Sequence, residues 1–194
     1  SPWTYLGHDR FVAMARAAGA AVRVLPADLG AVFSVSGGLP LGKRAPQRQA
    51  YRLVELRRFS QHLGLPMNIQ PQYFPVAADD AARLIIAVDE HDGADAALAL
   101  RGAVFRACWE QQRNMADAPA LAALLAECGL QAQRLDEARG ADVQARYEAN
   151  TRQAIDVGVF GEPSYVIDGE IFWGQDRLDF VERHLKNQVN NQGA

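Results

Sequence analysis

Between Gly158 and Leu178 the chain reads Gly-Val-Phe-Gly-Glu-Pro-Ser-Tyr-Val-Ile-Asp-Gly-Glu-Ile-Phe-Trp-Gly-Gln-Asp-Arg-Leu, and this stretch leaves little freedom in local structure. Ser164 to Ile167 is short and rich in β-branched and aromatic residues. Asp168-Gly169 is a two-residue turn signal, so Glu170 to Trp173 is expected to return antiparallel. A proline at the head of the first strand has no N–H for a ladder and restricts the residue before it. The pair Glu162-Pro163 is therefore expected at the strand entry with a cis bond, leaving the Glu162 backbone unpaired and open to an extended ligand. Gln175 and Asp176 then open a last helix, on the stripe Leu178, Val181 and Leu185.

The other end of the chain is a helix start. Serine suits an N-cap and proline the first helical position, so Ser1-Pro2 predicts a helix that Trp3, Leu6, Phe11 and Met14 carry to Gly19. Ala20 to Leu25 alternates around Val22 and Val24 and reads as a strand ending at Pro26. Residues 27–46 lack periodicity and read as a loop with short helical turns. Within it Lys43 and Arg44, with Arg48 just beyond, form a basic patch that is either solvated or in contact with an anion. A helix from Gln47, with Tyr51, Val54 and Phe59 on one stripe, stops at Gly64. Residues 67–75 form an ordered loop whose Tyr73 and Phe74 line a pocket or plug a core. Four amphipathic, alanine-rich helices follow over 80–90, 94–112, 119–128 and 143–157. Leu98, Phe105, Cys108 and Trp109 are read as core. A frayed tail is expected from Asn187.

With 49% hydrophobic residues over 194 positions, the chain can bury a substantial core. A net charge of −3 gives no electrostatic case for nucleic acid, and no apolar run approaches membrane-spanning length. Small-molecule chemistry is the expected business, without nucleic-acid or membrane partners. Cys108 and Cys128 form neither a Cys-x-x-Cys nor a zinc spacing and are read as packing residues. His8, His62, His91 and His184 lack paired ligand spacing and are read as structural or surface groups, so no metal is expected.

Gly-Val-Phe-Gly-x-Pro leading into a hairpin that ends Trp-Gly-x-Asp-Arg-Leu resembles the C-terminal half of the thioredoxin-like domain in 2-hydroxychromene-2-carboxylate isomerases and kappa-class glutathione transferases. Ser1-Pro2-Trp3-Thr4-Tyr5-Leu6 is similar to the run in which that family keeps its active-site serine. The resemblance implies an α/β, DsbA-like fold, with residues 1–40 and 139–194 forming the thioredoxin-like domain and 41–138 an all-helical insertion. In that fold a β-strand precedes the active-site helix, so a first strand is expected ahead of Ser1. A cytoplasmic enzyme of aromatic-compound degradation, allowed to be a homodimer, is also implied.

A thioredoxin-like oxidoreductase places Cys-x-x-Cys at the start of its first helix, where the helix dipole stabilises a thiolate. Here those positions are Ser1-Pro2-Trp3-Thr4, and disulfide exchange needs sulfur. A helix start with a hydroxyl can instead hold another molecule's thiolate, and both this chemistry and the resemblance point to glutathione as cofactor. Ser1 is the expected catalytic residue and donor to sulfur. Glu162 and Pro163 offer backbone pairing, and Trp173, Gly174, Gln175 and Asp176 offer recognition of the γ-glutamyl end. Asp176 has the alternative role of a helix cap. On the substrate side the resemblance implies Phe33, Ser34, Arg48 and Tyr73, while Gly37-Gly38-Leu39-Pro40 stands where the family has an asparagine. The implied reaction is reversible thiolate addition to 2-hydroxychromene-2-carboxylate, ring opening and rotation about the bond made single. Two alternatives stay open: a kappa-like transferase that conjugates glutathione to electrophiles, and a non-catalytic thiol- or peptide-binding relative of the disulfide oxidoreductases.

Overall fold

A computed structural model describes residues 1–192, with side chains described through residue 187. The first helix, α1 (Pro2–Ala17), begins where the Ser-Pro pair directs it, with the Ser1 side chain accepting a hydrogen bond from the Thr4 amide. Its buried face carries Tyr5, Leu6, His8 and Ala15. The segment after it corrects the sequence reading. Residues 20–28 belong to no helix or strand, although Val22 and Val24 are half-buried and Arg23 and Leu25 exposed, as a strand requires. A strand also needs a ladder neighbour, and the sheet formed by the described residues holds two strands that pair only with each other.

The loop expected over 27–46 contains a full helix, α2 (Leu29–Ser36), capped by Asp28 accepting from the amides of Gly30 and Ala31 and closed by Gly37 at φ 75°. In α3 (Pro46–Leu63), ended by Gly64 at φ 65°, the buried residue is Leu56. Tyr51, placed on the apolar stripe from sequence, is instead exposed. The helices α4 (Asp79–Asp92), α5 (Ala94–Trp109), α6 (Ala118–Glu127) and α8 (Ala141–Asp156) match the four expected segments; the one-turn α7 (Arg134–Glu137) was not anticipated. Arg134 bridges Asp92 at 2.6 Å and Glu137 at 2.6 Å, which ties α7 to the end of α4. The largest buried cluster lies among α4 to α8, around Leu84, Leu100, Leu121 and Leu125.

Strands β1 (Ser164–Ile167) and β2 (Glu170–Trp173) pair antiparallel, Ser164 opposite Trp173 and Ile167 opposite Glu170. Asp168 and Gly169 turn at φ 50° and 83°, the doubly left-handed geometry that an Asp-Gly hairpin favours. The inner face of the hairpin, Tyr165 and Phe172, packs with Leu178, Val181 and Leu185 of α9 (Leu178–Gln192) and with Phe11 and Met14 of α1. The tail expected to fray from Asn187 is helical to Gln192; residues 193 and 194 lie outside the described residues. A third cluster joins α1 to the ends of α3 and α5 through Tyr5, Leu6, Leu56 and Trp109. The amide of Asn68 and its side chain both donate to the Trp109 carbonyl, fixing loop 64–75 against the end of α5.

Candidate active site where the first helix meets the cis-proline loop

Ser1 and Glu162, far apart in sequence, are neighbours. The Ser1 main-chain nitrogen lies 3.7 Å from Glu162 Oε1. Glu162-Pro163 is a cis peptide, as is Phe74-Pro75. The β1 ladder begins only at Ser164, which leaves the Glu162 backbone outside it. The hairpin and α1 are drawn together by close packing at Gly7. A β-carbon built there would stand 2.8 Å from Gln175 Cβ and 2.9 Å from the Tyr165 hydroxyl, distances no side chain can occupy without displacing one element.

Two hydroxyls stand in the first turn of α1. The Ser1 hydroxyl oxygen accepts the Thr4 amide at 3.4 Å, which realises the cap and leaves its own proton to donate elsewhere. Thr4 Oγ1 is buried and, among the described residues, has no hydrogen-bond partner. Buried polar groups are nearly always paired, so this orphaned hydroxyl one turn into α1 is unusual. No titrating sulfur stands in that turn: Cys108 and Cys128 are free thiols at α5 and α6, and burial raises both above the usual thiol range, as expected of packing residues.

Beyond the hairpin the expected cofactor residues divide. Trp173 is half exposed and rests against Phe160, their ring centroids 4.9 Å apart. Gly174, at φ 99°, opens a short 3-10 turn over Gln175–Arg177. Gln175 is 2% exposed and accepts from Arg10 at 3.3 Å, so its side chain is engaged within the fold. Among the described residues the 3-10 turn has no side-chain cap, and Asp176 takes Arg177 at 2.6 Å. On the substrate side, Ser34 is turned back onto the Ala31 carbonyl at 2.7 Å, and Phe33 leans over Gly38. Arg48 is exposed in the first turn of α3. Tyr73 is exposed at the loop while its neighbour Phe74 turns inward onto Trp109, centroids 4.7 Å apart. Among the described residues, no cluster of three metal-ligating side chains forms.

His8, read from sequence as a structural or surface group, is structural, and its buried partner Arg101 was not visible in the sequence. His8, 6% exposed, lies with Nδ1 2.9 Å from Arg101 of α5. Burial first, and then the Arg101 charge, push the imidazole down to about 4, so His8 is neutral at ordinary pH and accepts from the guanidinium. Arg101 also lies over the Phe105 ring at 5.0 Å and feels the charge of Glu162 and the Tyr165 hydroxyl. Tyr165 is itself raised to about 12 by burial. Tyr5 is held well above the usual phenol range by burial and by Glu110, whose carboxylate lies 2.9 Å from its hydroxyl. No local sequence signal marks this pair, since the arginine comes from a helix 93 residues away in sequence.

A hairpin packed on a helix whose start faces a cis-proline loop is the arrangement of a DsbA-like thioredoxin fold. The chain belongs to the DSBA-like thioredoxin domain family, whose model matches residues 1–186. It is 28% identical over 187 residues to the 2-hydroxychromene-2-carboxylate isomerase of Sphingobium xenophagum, covering 95% of this chain and 93% of that protein. It is 29% identical over 186 residues to the protein of the same name from Pseudomonas putida, covering 94% and 88%. A solved structure of a 2-hydroxychromene-2-carboxylate isomerase superposes with TM-score 0.84 at 25% identity, over 100% of this chain and 93% of that one. A probable DsbA oxidoreductase from Streptomyces coelicolor superposes with TM-score 0.73 at 20% identity, over 98% and 86%, a likeness of fold alone. Among the described residues, no helix is long and apolar enough to cross a membrane.

Proposed function

We propose that the chain is a glutathione-dependent isomerase acting on 2-hydroxychromene-2-carboxylate or a closely similar product of aromatic-compound breakdown. The observation that carries this reading is the meeting of the Ser1 helix start with the Glu162 loop, 3.7 Å apart, at a site with hydroxyls where disulfide enzymes have thiols. The names and extent of the relatives support it. Bound glutathione would supply a thiolate that adds reversibly to a conjugated carbonyl system, making a double bond single long enough to rotate. The chain's own residues would prepare that step. The Ser1 hydroxyl donates toward sulfur, and the first-turn amides of α1 add positive potential. The Glu162 backbone pairs with the peptide part of the cofactor. Trp173 and Phe160 offer an apolar wall, and Asp176 a carboxylate for the ammonium group once Arg177 swings aside.

The test is an isomerisation assay with 2-hydroxychromene-2-carboxylate in which free thiol is measured throughout. Turnover that requires glutathione and leaves total thiol constant is the expected result. Thiol consumed in proportion to product makes the chain a transferase, and glutathione binding without turnover makes it a binding module; either outcome overturns the isomerase reading.

A further inference from the structure

The net charge of −3 averages over an uneven distribution. Residues 43–58 hold six cations, Lys43, Arg44, Arg48, Arg52, Arg57 and Arg58, against the single carboxylate of Glu55. Among the described residues none of the six lies within ion-pairing distance of a carboxylate. Helix α3 carries most of them, and its 18 residues run for about 27 Å. Its inner side buries Leu56 and sets Phe59 edge-on against Trp3 of α1, centroids 5.9 Å apart. The outer side presents Arg48, Tyr51 and Arg58, spaced by three and seven residues, with Arg57 next to them, all exposed. At the N-terminal end Arg44 donates to the Leu39 carbonyl at 2.8 Å, and the Gln49 side chain donates to the Arg44 carbonyl at 2.7 Å. These bonds tie the turn carrying Leu39, itself exposed, to the start of the helix.

We infer that the outer side of α3 is a docking surface for an anionic lipid bilayer, with Arg48, Arg57 and Arg58 against the headgroups and Tyr51 and Leu39 in the interfacial layer. Cations crowded on one face repel one another, and a sheet of negative headgroups relieves that repulsion. Each cation close to an anionic leaflet strengthens binding about five-fold, so three or four acting together give reversible attachment. A tyrosine suits the headgroup level, its ring apolar and its hydroxyl polar. Apolar groups set among the cations favour a bilayer over a nucleic-acid backbone, whose phosphates offer charge without an apolar layer. A net charge and the length of apolar runs do not register such a face, because a helix lying on a membrane needs no spanning length. Attachment of this kind is independent of the isomerase reading.

The experiment is co-sedimentation of the whole chain with vesicles of phosphatidylcholine, either alone or with about a third phosphatidylserine. At about 0.1 M salt the chain should bind the anionic vesicles roughly ten-fold or more tightly than the neutral ones, and about 0.5 M salt should remove the preference by screening. Arg57→Glu combined with Arg58→Glu should lower binding to the anionic vesicles by roughly ten-fold or more while keeping the parent's far-UV spectrum. Lys43→Glu combined with Arg48→Glu, at the other end of the face, makes the same test if the first variant fails to fold. Equal binding to the two kinds of vesicle, a preference that survives the charge reversals, or one unchanged at high salt would overturn the assignment. So would a parent that ignores the vesicles while binding a short DNA duplex, or while forming a dimer that the reversals split, since the face would then belong to another partner. Glutathione is absent throughout, so either result leaves the isomerase reading where it stands.

Discussion

At the scale of single residues the strongest physical statement concerns His8. Its folded pKa, down to about 4, lies below the ordinary histidine value, so between that value and 4 the unfolded chain binds a proton that the folded chain does not. Stability must therefore rise with pH through this window and fall on acidification. Going from pH 7 to pH 5 should cost on the order of 2 kcal/mol from this group alone. Arg101, Arg106 and Asp9 are the charges that face it. Urea unfolding at the two pH values in the parent and in His8→Gln measures the term. The variant should lose most of the difference, and an equal pH dependence in both would show that His8 is not its source. Asp176 provides a second residue-level prediction. If it recognises the ammonium group of glutathione, Asp176→Ala should weaken binding by about 1 to 3 kcal/mol with an unchanged far-UV spectrum. Calorimetry showing the parent's affinity would confine Asp176 to its pair with Arg177.

At the scale of elements, what sequence showed and hid follows from how local each signal is. The hairpin was legible because Asp168-Gly169 specifies its own turn, and α1 because Ser1 and Pro2 specify their own cap. Strand character at 20–25 was misleading because alternation records which face is buried, whereas strand identity depends on a partner the pattern cannot report. Helix α2 was missed because its β-branched Val32 and Val35 obscure periodicity, although Asp28 and Gly37 marked both its ends. The sequence reading brought the hairpin's entry to the start of α1, but the crowding at Gly7 was invisible, since nothing about it announces that Gln175 and Tyr165 will stand so close. That contact makes a sharp prediction. Gly7→Ala, favourable for an isolated helix, should destabilise the fold by about 1 to 3 kcal/mol through overpacking and should weaken glutathione binding by shifting the helix start away from Glu162. A thermal melt and a glutathione titration check it together; unchanged melting would mean the two elements separate without cost.

At the scale of the whole molecule, the chain joins residues 161 positions apart into one candidate site, and the helices between them position it. Helix α5 backs α1 through Arg101 and His8, and Asn68 holds loop 64–75 to the end of α5. The family motifs at the two ends made the place of this site legible; the closure between them depends on packing among helices that sequence does not spell out. In the proposed function the assembled site holds a thiolate without any sulfur of its own. Serine at the head of α1 has a competing role as an ordinary cap, worth ~1 kcal/mol of stability, and its hydrogen bond with the Thr4 amide shows that role is filled. The direct measurement is thiolate absorbance of bound glutathione against pH in the parent and in Ser1→Ala. The bound thiol should titrate at least one pH unit below the free thiol in the parent, equivalent to about 1.4 kcal/mol of thiolate stabilisation, with the curve displaced upward in Ser1→Ala and affinity nearly unchanged. Superimposable curves, with only a lower melting temperature in the variant, would contradict it.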